Sequence, residues 1–315
     1  MFTKSSTAED VTRGRDLSGK TIVMTGINSG IGFEAMRVLC MRGAHVVALA
    51  RTQEKAQAAC SQVQGNTTPL ACELSDLDSV KACAEKIKAM NIPIDVLICN
   101  AGIMALPELN VKDGLELQFL TNHMGHFLLV YLLQDAIKSA DEGRIVMLSS
   151  EGHKWAPKGG IDFSNLDGAK GYNPWKFYGQ SKLANLLTAL AFNERLKASG
   201  VTANAVHPGV INTNLSRNMK GVLGFLLKQA PVRFAFNLFG KSIPQGASTE
   251  CYVATHPDVK GKGGLYFSDN AVAVTSYYGR NLELANKLWD YSVQYLKPYL
   301  ETAARDSATE QPVVS

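Results

Sequence analysis

The sequence predicts an α/β protein built on a doubly wound parallel β-sheet. Three observations predict it: short apolar runs alternate with amphipathic stretches of helix length, a glycine-rich turn follows the first run, and no linker-like segment divides the 315 residues. Continuous apolar runs are typical of parallel strands buried on both faces, and helices must cross between such strands. We therefore expect one domain with about seven strands and right-handed crossovers.

The predicted elements alternate along the chain. Seven apolar runs are predicted as strands: Thr21–Met24, Val46–Ala50, Pro69–Leu74, Val96–Cys99, Ile145–Leu148, Val201–Val206 and Gly264–Phe267. Seven amphipathic stretches are predicted as helices: Ile31–Arg42, Thr52–Gln64, Leu77–Met90, Leu117–Ala140, Trp175–Ala198, Pro244–Thr255 and Asn281–Leu296. Length and apolar periodicity decide between the two classes.

The chain divides into an N-terminal extension (1–16), the folded domain (17–300) and a polar tail (301–315) that we expect to be disordered. A hydrophobic content of 46% and a charged content of 19% are typical of a globular protein. The net charge of +4 without any lysine or arginine block predicts no nucleic-acid partner. Six cysteines without framework spacing, and an N-terminus without a signal-peptide core, predict a reduced, cytoplasmic protein that is not secreted.

The segment Thr25–Gly32 is typical of a turn that binds phosphate groups, because it lies between a predicted strand and a predicted helix. Gly26 permits a turn that a side chain would prevent, Gly30 lets the backbone approach a pyrophosphate, and Gly32 lets the helix lie close to the strand. The helix N-terminus offers N–H groups to the phosphates. A purely structural turn is the alternative. The other expected contacts in this turn are Asn28, Ser29 and Ile31.

Tyr178 and Lys182 are four residues apart on a predicted helix, so they share one face. A free phenol has a pKa near ~10, and an ammonium group one turn away should lower it, which suits proton transfer to or from a carbinol oxygen. A surface pair is the alternative interpretation. Ser150 ends the fifth predicted strand, where its hydroxyl can bond the same substrate oxygen. Asn122, in a predicted helix, should hold a water or a backbone group.

The segment Asn214–Lys241 interrupts the alternation, because it is long, apolar and rich in aromatic residues. It follows the sixth predicted strand, at the edge of the sheet where doubly wound folds bind ligands. We expect a helical lid that closes over a hydrophobic substrate. Ordinary helix packing is the alternative, and peripheral membrane contact through this segment stays open.

Six motifs occur in a fixed order: Thr25–Gly32, Asn100-Ala101-Gly102, Asn122, Ser150, Tyr178 with Lys182, and His207-Pro208-Gly209. Their combination resembles the short-chain dehydrogenase/reductase pattern from roughly Leu17 to Tyr295. The resemblance implies a Rossmann-type single domain, a nicotinamide cofactor and a catalytic tetrad of Asn122, Ser150, Tyr178 and Lys182. The further cofactor contacts that it implies are Glu73, Leu74, Asn100, Ala101, Gly102, Tyr178, Lys182, Pro208, Gly209, Val210 and Thr213.

Longer segments are similar to one subgroup of that family: Asn122–Phe127, Ser149–His153, Tyr178–Asn185, His207–Val210, Pro244–Ala247 and Gly264–Asp269. The subgroup contains retinol dehydrogenases, WW-domain oxidoreductases and plant chloroplast-envelope Tic-associated dehydrogenases. The chain departs from the family at two places. Cys99 precedes Asn100 where many members have a second Asn, and Glu73 stands where an Asp usually meets the adenine.

The end of the second predicted strand indicates the choice of cofactor. A carboxylate at this point would bond an adenosine ribose diol, but Ala50 and Arg51 stand there instead. Because a guanidinium can bind a ribose phosphate bidentately, NADP(H) is expected rather than NAD. A solvated charge at the start of a helix is the alternative. His123 and His126 are one turn apart, but we expect packing or hydrogen bonding from them and no metal.

These observations predict an NADPH-dependent enzyme that interconverts a small lipophilic ketone or aldehyde and its alcohol. A second hypothesis is an NADPH-sensing scaffold or regulatory protein, and a third is a C=C reductase on the same fold. The intact tetrad favours an enzyme, because a sensor has no need of Tyr178. A homodimer stays open.

Overall fold

The central sheet confirms the predicted α/β fold, in a computed structural model that describes residues 2–211 and 240–309, with side chains as far as Glu301. Its eight strands lie in the order β3-β2-β1-β4-β7-β8-β9-β10, and every neighbouring pair is parallel except β9 with β10. The strands are β1 (Thr21–Thr25), β2 (His45–Ala50), β3 (Asn66–Ala71), β4 (Val96–Cys99), β7 (Arg144–Leu148), β8 (Thr202–His207), β9 (Tyr266–Ser268) and β10 (Ala271–Val272), with a separate antiparallel pair of β5 (Val111–Lys112) and β6 (Leu115–Glu116).

The helices are α1 (Ala8–Val11), α2 (Gly30–Met41), α3 (Gln53–Cys60), α4 (Leu77–Lys88), α5 (Leu117–Phe119), α6 (Gly125–Lys138), α7 (Pro174–Leu196), α8 (Ile243–Gly246), α9 (Ser248–Thr255) and α10 (Leu282–Thr309). A π-helical turn, Leu120–Met124, joins α5 to α6. Short 3-10 turns cover Glu151–Trp155, Lys197–Ser199, Pro257–Val259 and Tyr278–Arg280.

The sheet is covered on both faces, as a doubly wound fold requires. Successive residues of β1 belong to different cores, because side chains alternate between the faces of a strand. Val23 packs with α4, α6, α7 and α10, whereas Ile22 and Met24 pack with α1, α2, α3 and α9. The carboxyl ends of the parallel strands therefore meet at one edge, between two helical layers.

Several elements differ from their predicted bounds. The third strand is Asn66–Ala71 and not Pro69–Leu74, because an edge strand tolerates the polar residues that precede the apolar run. β10 and the pair of β5 and β6 are too short to leave a periodic signal. The last helix continues to Thr309, into the tail expected to be disordered, since alanine and charged residues there favour a helix. Of the expected lid, residues 214–239 lie outside the described residues, and so does Thr213.

The N-terminal extension packs against the domain. Thr7 and Asp10 form a capping box at the start of α1, and Ala8 and Val11 of that helix are buried. The Asn270 side chain donates to the Thr3 carbonyl at 2.9 Å. The extension thus covers part of the core that α2 and α9 build.

Glu250 lies in α9 with 1% of its surface exposed, and neither carboxyl oxygen has a hydrogen-bond partner among the described residues. Burial without a partner disfavours a charge, so the pKa of Glu250 lies well above its ordinary value. The pKa of the neighbouring Cys251 thiol is raised as well, by burial first and then by Glu250. The fold therefore favours a protonated Glu250.

We expect Glu250→Gln to stabilise the protein at neutral pH. Because the folded-state pKa is raised, the contribution of the acid to stability is fully present below its ordinary pKa of 4.5 and is lost as the pH rises. Glutamine keeps the shape without the charge, so the gain should be near zero at about pH 4.5 and reach the order of 1–3 kcal/mol at about pH 8. Urea unfolding at both pH values measures it, with the exposed Glu283→Gln as control. An equal gain at both pH values would contradict the argument.

Candidate active site

The glycine turn and the loop after β4 face each other at the edge of the sheet. β1 pairs with both β2 and β4, so the strand order reverses between β1 and β4, the point where doubly wound folds bind ligands. Gly26 and Gly30 adopt left-handed φ values of 74° and 62°, which favour glycine. α2 begins at Gly30, and its N-cap Ser29 makes no side-chain capping bond. The first N–H groups of α2 are therefore open to an anion.

Gly32 lies against the turn that precedes it. A Cβ at Gly32 would come within 2.3 Å of both the Gly26 carbonyl oxygen and the Asn100 Nδ2. Asn100 donates from Nδ2 to the Thr25 carbonyl at 2.8 Å and to the Gly26 carbonyl at 3.2 Å. Its buried Oδ1 has no partner among the described residues. The glycines of this cradle thus allow its close packing against Asn100 and α2, and one buried acceptor is left for a ligand.

Tyr178 and Lys182 project from α7 toward the end of β7, and both are buried, with 5% and 4% of their surface exposed. The Lys182 Nζ lies 5.9 Å from the centre of the Tyr178 ring and donates to the Leu148 carbonyl at 3.0 Å. Ser150 follows β7, and its hydroxyl lies near enough to the Tyr178 phenol to lower the pKa of that phenol. The structure therefore brings the predicted tyrosine, lysine and serine together, and the surface-pair alternative is wrong.

The pKa of Tyr178 departs from the expectation. Burial raises it, and the Ser150 hydroxyl only partly opposes that rise. Burial also lowers the pKa of Lys182 to about 8. The expectation that Lys182 lowers the pKa of the phenol is therefore wrong. Burial dominates, and the ammonium group of Lys182 donates to the Leu148 carbonyl. Tyr178 is protonated at neutral pH, as a proton donor must be.

Two glycines that the sequence analysis did not single out fix the Tyr178 ring. A Cβ at Gly152 would come within 2.8 Å of the Tyr178 Cε1, and a Cβ at Gly179 within 2.8 Å of the Gly152 carbonyl oxygen. Trp155, half exposed, contacts the Tyr178 ring at 6.3 Å between ring centres. Helix α7 and the 3-10 turn can pack this closely only because both positions lack a side chain.

Asn122 lies in the π-helical turn and is fully buried. Its Oδ1 accepts from the Ile103 N–H at 2.8 Å, and its Nδ2 donates to the Ile103 carbonyl at 2.9 Å and to the Ser181 hydroxyl at 2.9 Å. Of the two expected partners, a water or a backbone group, the side chain holds the backbone group. π-helical turns recur at functional sites, but no periodic signal in the sequence reveals them.

The residues after β8 lie at the same edge. Gly209 has a φ of 92°, and a Cβ there would come within 2.6 Å of the Lys241 Cδ. Val210 is exposed, and its carbonyl accepts from the Lys241 N–H at 2.8 Å. Pro208 is half buried. These positions are compatible with the cofactor contacts expected of them, which stay a prediction.

Arg51 follows β2 directly and is exposed, and its side chain makes no hydrogen bond or ion pair within the described part of the chain. Because β2 neighbours β1, Arg51 lies beside the glycine turn. Glu73 instead bonds its own loop, accepting from the Ser75 N–H at 3.1 Å and from the Ser75 hydroxyl at 3.0 Å. The Leu74 carbonyl lies so near Gly125 that a Cβ there would be 2.3 Å away.

The two histidines of the Asn122 segment hydrogen-bond neighbouring groups. His123 lies 3.0 Å from the Ser292 hydroxyl and 3.2 Å from the Thr188 hydroxyl. His126 bonds the Thr25 hydroxyl and the Asn122 carbonyl, both at 2.9 Å. Within residues 2–211 and 240–309, no cluster of three or more histidine, cysteine or acidic side chains could hold a metal ion.

A glycine turn suited to phosphate at the sheet edge, with the buried Tyr178 and Lys182 and the partly buried Ser150 beside it, defines the class of nicotinamide-dependent oxidoreductases that transfer hydride. Family comparison places the chain more narrowly. It matches the short chain dehydrogenase family over residues 20–221, more than half of its length. The protein belongs to that family.

Its relatives fall in the expected subgroup. The chain is 44% identical over 305 residues to the short-chain dehydrogenase TIC 32 B, chloroplastic, of Brassica napus, covering 93% of each chain. It is 40% identical to retinol dehydrogenase 12 of Mus musculus, covering 89% of this chain and 87% of the relative. It is 38% identical to the human WW domain-containing oxidoreductase, covering 94% of this chain and 72% of the relative.

A solved structure supports the fold. A protein of Mycobacterium paratuberculosis described as putative and uncharacterized superimposes with a TM-score of 0.73 at 31% identity, covering 91% of this chain and 97% of that one. In the described part of the chain, no helix is both long enough and apolar enough to cross a membrane.

Proposed function

We propose that the protein is an NADP(H)-dependent oxidoreductase that interconverts a lipophilic ketone or aldehyde and its alcohol. The observation that carries this proposal is the buried Tyr178, with Ser150 and Lys182 around it, at the end of β7 beside the glycine cradle. A surface tyrosine pair would have neither the burial nor the serine. The family supports oxidoreduction in general; the cofactor and the substrate are our inference.

The residues around the cradle fit a dinucleotide. Gly26 and Gly32 let the turn pack closely against Asn100, whose buried Oδ1 is an acceptor without a partner among the described residues. The pyrophosphate would lie on the open N-terminus of α2. A bound nicotinamide supplies the hydride chemistry, and the protein orients and polarises the substrate.

The tetrad residues then have separate tasks. Tyr178 donates its proton to the carbonyl oxygen in reduction and removes it in oxidation, while Ser150 bonds the same oxygen. Lys182, buried and with its pKa lowered to about 8, keeps a positive charge 5.9 Å from the centre of the Tyr178 ring, which offsets part of the cost of a buried phenolate as the proton leaves. Asn122 acts through the backbone: it holds Ile103, so that Gly102 stays against Lys182.

Two observations support the choice of NADP(H) and of a lipophilic substrate. Arg51 presents an unpaired guanidinium at the end of β2, where a carboxylate would repel a ribose phosphate. Trp155, which contacts the Tyr178 ring, is 50% exposed, and Val210, which follows β8, is 57% exposed. Retinol dehydrogenase 12, a relative, is named for an apolar alcohol.

The NADPH-sensing scaffold is the second candidate, and a C=C reductase is the third. The scaffold gives no account of a buried tyrosine with a buried lysine one turn away, and we therefore rank the enzyme first. All six cysteines are free and buried, which supports a reduced compartment. Homodimer formation and peripheral membrane contact stay predictions.

We expect NADPH to be consumed with at least one lipophilic carbonyl in a panel of retinal, steroids, quinones, aryl ketones and aliphatic aldehydes. Product analysis by mass spectrometry and NMR separates reduction of C=O from reduction of C=C, and calorimetry measures NADPH binding. Tight NADPH binding without turnover of any carbonyl would favour the scaffold. Saturation of a C=C bond with the carbonyl intact would favour the third candidate.

A further inference from the structure

His126 is fully buried between the glycine turn and the π-helical turn, and it bonds both. Its Nε2 lies 2.9 Å from the hydroxyl of Thr25, the residue before Gly26. Its Nδ1 lies 2.9 Å from the main-chain carbonyl oxygen of Asn122. One ring thus joins the turn expected to hold the dinucleotide to a residue of the tetrad.

The surrounding donors and acceptors fix the tautomer of this ring. The Thr25 hydroxyl oxygen accepts from the N–H groups of Asn100 and Ala101, both at 3.0 Å. Because a hydroxyl oxygen has two lone pairs, its own proton must be donated to His126 Nε2. Nδ1 therefore carries the ring proton and donates it to the Asn122 carbonyl. Burial supports a neutral ring, since it lowers the pKa of His126 to about 4.

The same ring closes a circuit of hydrogen bonds around loop 100–103. Thr25 holds the start of this loop, at the N–H groups of residues 100 and 101. The Asn122 side chain holds its end, through both backbone groups of Ile103. His126 connects Thr25 with Asn122, so neither residue can shift without breaking a buried hydrogen bond, which is costly.

The loop has little room to move. A Cβ at Gly102, in its middle, would come within 3.2 Å of the Asn122 Oδ1 and of the Lys182 Nζ. A small displacement of the loop would therefore change the space beside the ammonium group that the tetrad needs.

We propose that His126 is a positioning residue, which locks loop 100–103 between the glycine turn and Asn122 and so keeps the dinucleotide site and the tetrad in register. This inference rests on the proposed function for its consequence in turnover. Its tautomer and its effect on cofactor binding do not depend on any catalysed reaction.

His123 offers a matched control in the same segment. It is also fully buried and also bonds two groups, but its partners are the hydroxyls of Ser292 and Thr188, away from the loop. A phenylalanine at either position removes two hydrogen bonds from a buried site. Only the change at His126 should disturb the loop.

The first test reads the tautomer directly. Histidine 15N NMR of the free protein should show His126 with a protonated Nδ1 and a bare Nε2 from pH 7.5 to 5.5. The positive charge of the neighbouring Lys182 disfavours protonation of this ring. The other neighbouring titratable group, His123, is buried as well, and burial lowers its pKa to about 3. A protonated Nε2 with a bare Nδ1, or a titration near pH 6.5, would overturn the proposal.

The second test compares variants by calorimetry with NADPH and by kinetics. His126→Phe should weaken NADPH binding about tenfold, which corresponds to about 1.4 kcal/mol, and lower kcat, whereas His123→Phe should stay within about twofold. His126→Asn keeps a donor at the Nδ1 position and His126→Gln keeps an acceptor at the Nε2 position, so each should recover part of the affinity.

Equal losses in His126→Phe and His123→Phe, or no recovery in the Asn and Gln variants, would show a merely structural role and overturn the proposal. If no carbonyl in the panel is turned over while His126→Phe still loses NADPH affinity, the proposed function fails and the positioning role stands. If His126→Phe does not fold, the NMR tautomer still decides.

Discussion

Tyr178→Phe is expected to abolish turnover while NADPH binding stays within about twofold. Phenylalanine keeps the ring that Gly152 and Trp155 contact, but it loses the hydroxyl and with it the proton. Loss of a general acid is expected to lower kcat by on the order of 10²–10⁴. Single-turnover kinetics on any accepted carbonyl, together with calorimetry for NADPH, measures the two quantities separately.

Tyr172→Phe is the matched control for this change. Tyr172 is a partly buried tyrosine in the segment before α7, and its hydroxyl donates to the Leu106 carbonyl at 2.7 Å. Its loss should lower stability and leave kcat nearly unchanged. If Tyr178→Phe behaves like Tyr172→Phe, Tyr178 does not transfer the proton and the tetrad assignment is wrong.

The sequence predicts the elements that have a strong periodic signal or a close-approach motif. An apolar run predicts β1, three glycines predict the turn, and an amphipathic stretch predicts α2. The structure shows why these glycines are needed. Tyr178, Lys182 and Ser150 are brought together as predicted, because the helix period and the shared edge of the sheet determine their positions.

Other features depend on tertiary contacts that no local pattern encodes. Nothing in the sequence distinguishes Gly152 and Gly179 from the other glycines. Their role is visible only in the packing of α7 on the 3-10 turn. The π-helical turn that orients Asn122 looks like ordinary helix in the sequence. The spacing predicts the wrong direction for the pKa of Tyr178, because it reveals the nearby charge of Lys182 but not the depth of burial. For the same reason, the sequence does not reveal that Glu250 is buried without a hydrogen-bond partner among the described residues.

Replacing Arg51 with alanine is the most direct test of the expected preference for NADPH over NADH. It is exposed and unpaired in the described part of the chain, so Arg51→Ala removes no contact that stabilises the fold. A charge-assisted contact to the ribose phosphate contributes roughly 1.5–3 kcal/mol, so NADPH affinity should fall about ten- to a hundredfold. NADH, which lacks this phosphate, should bind nearly as before, and the NADPH loss should shrink at high salt.

Lys55→Ala separates this effect from a general loss of positive charge. Lys55 is an exposed cation in the first turn of α3, a few residues after Arg51. If Arg51 binds the phosphate directly, the Lys55 variant keeps its preference for NADPH over NADH, and calorimetry shows a selective loss only in Arg51→Ala. Equal losses for NADPH and NADH in Arg51→Ala, or equal effects of the two variants, would mean that Arg51 acts only as a solvated charge at the start of a helix. The preference for NADPH would then need another source at the end of β2.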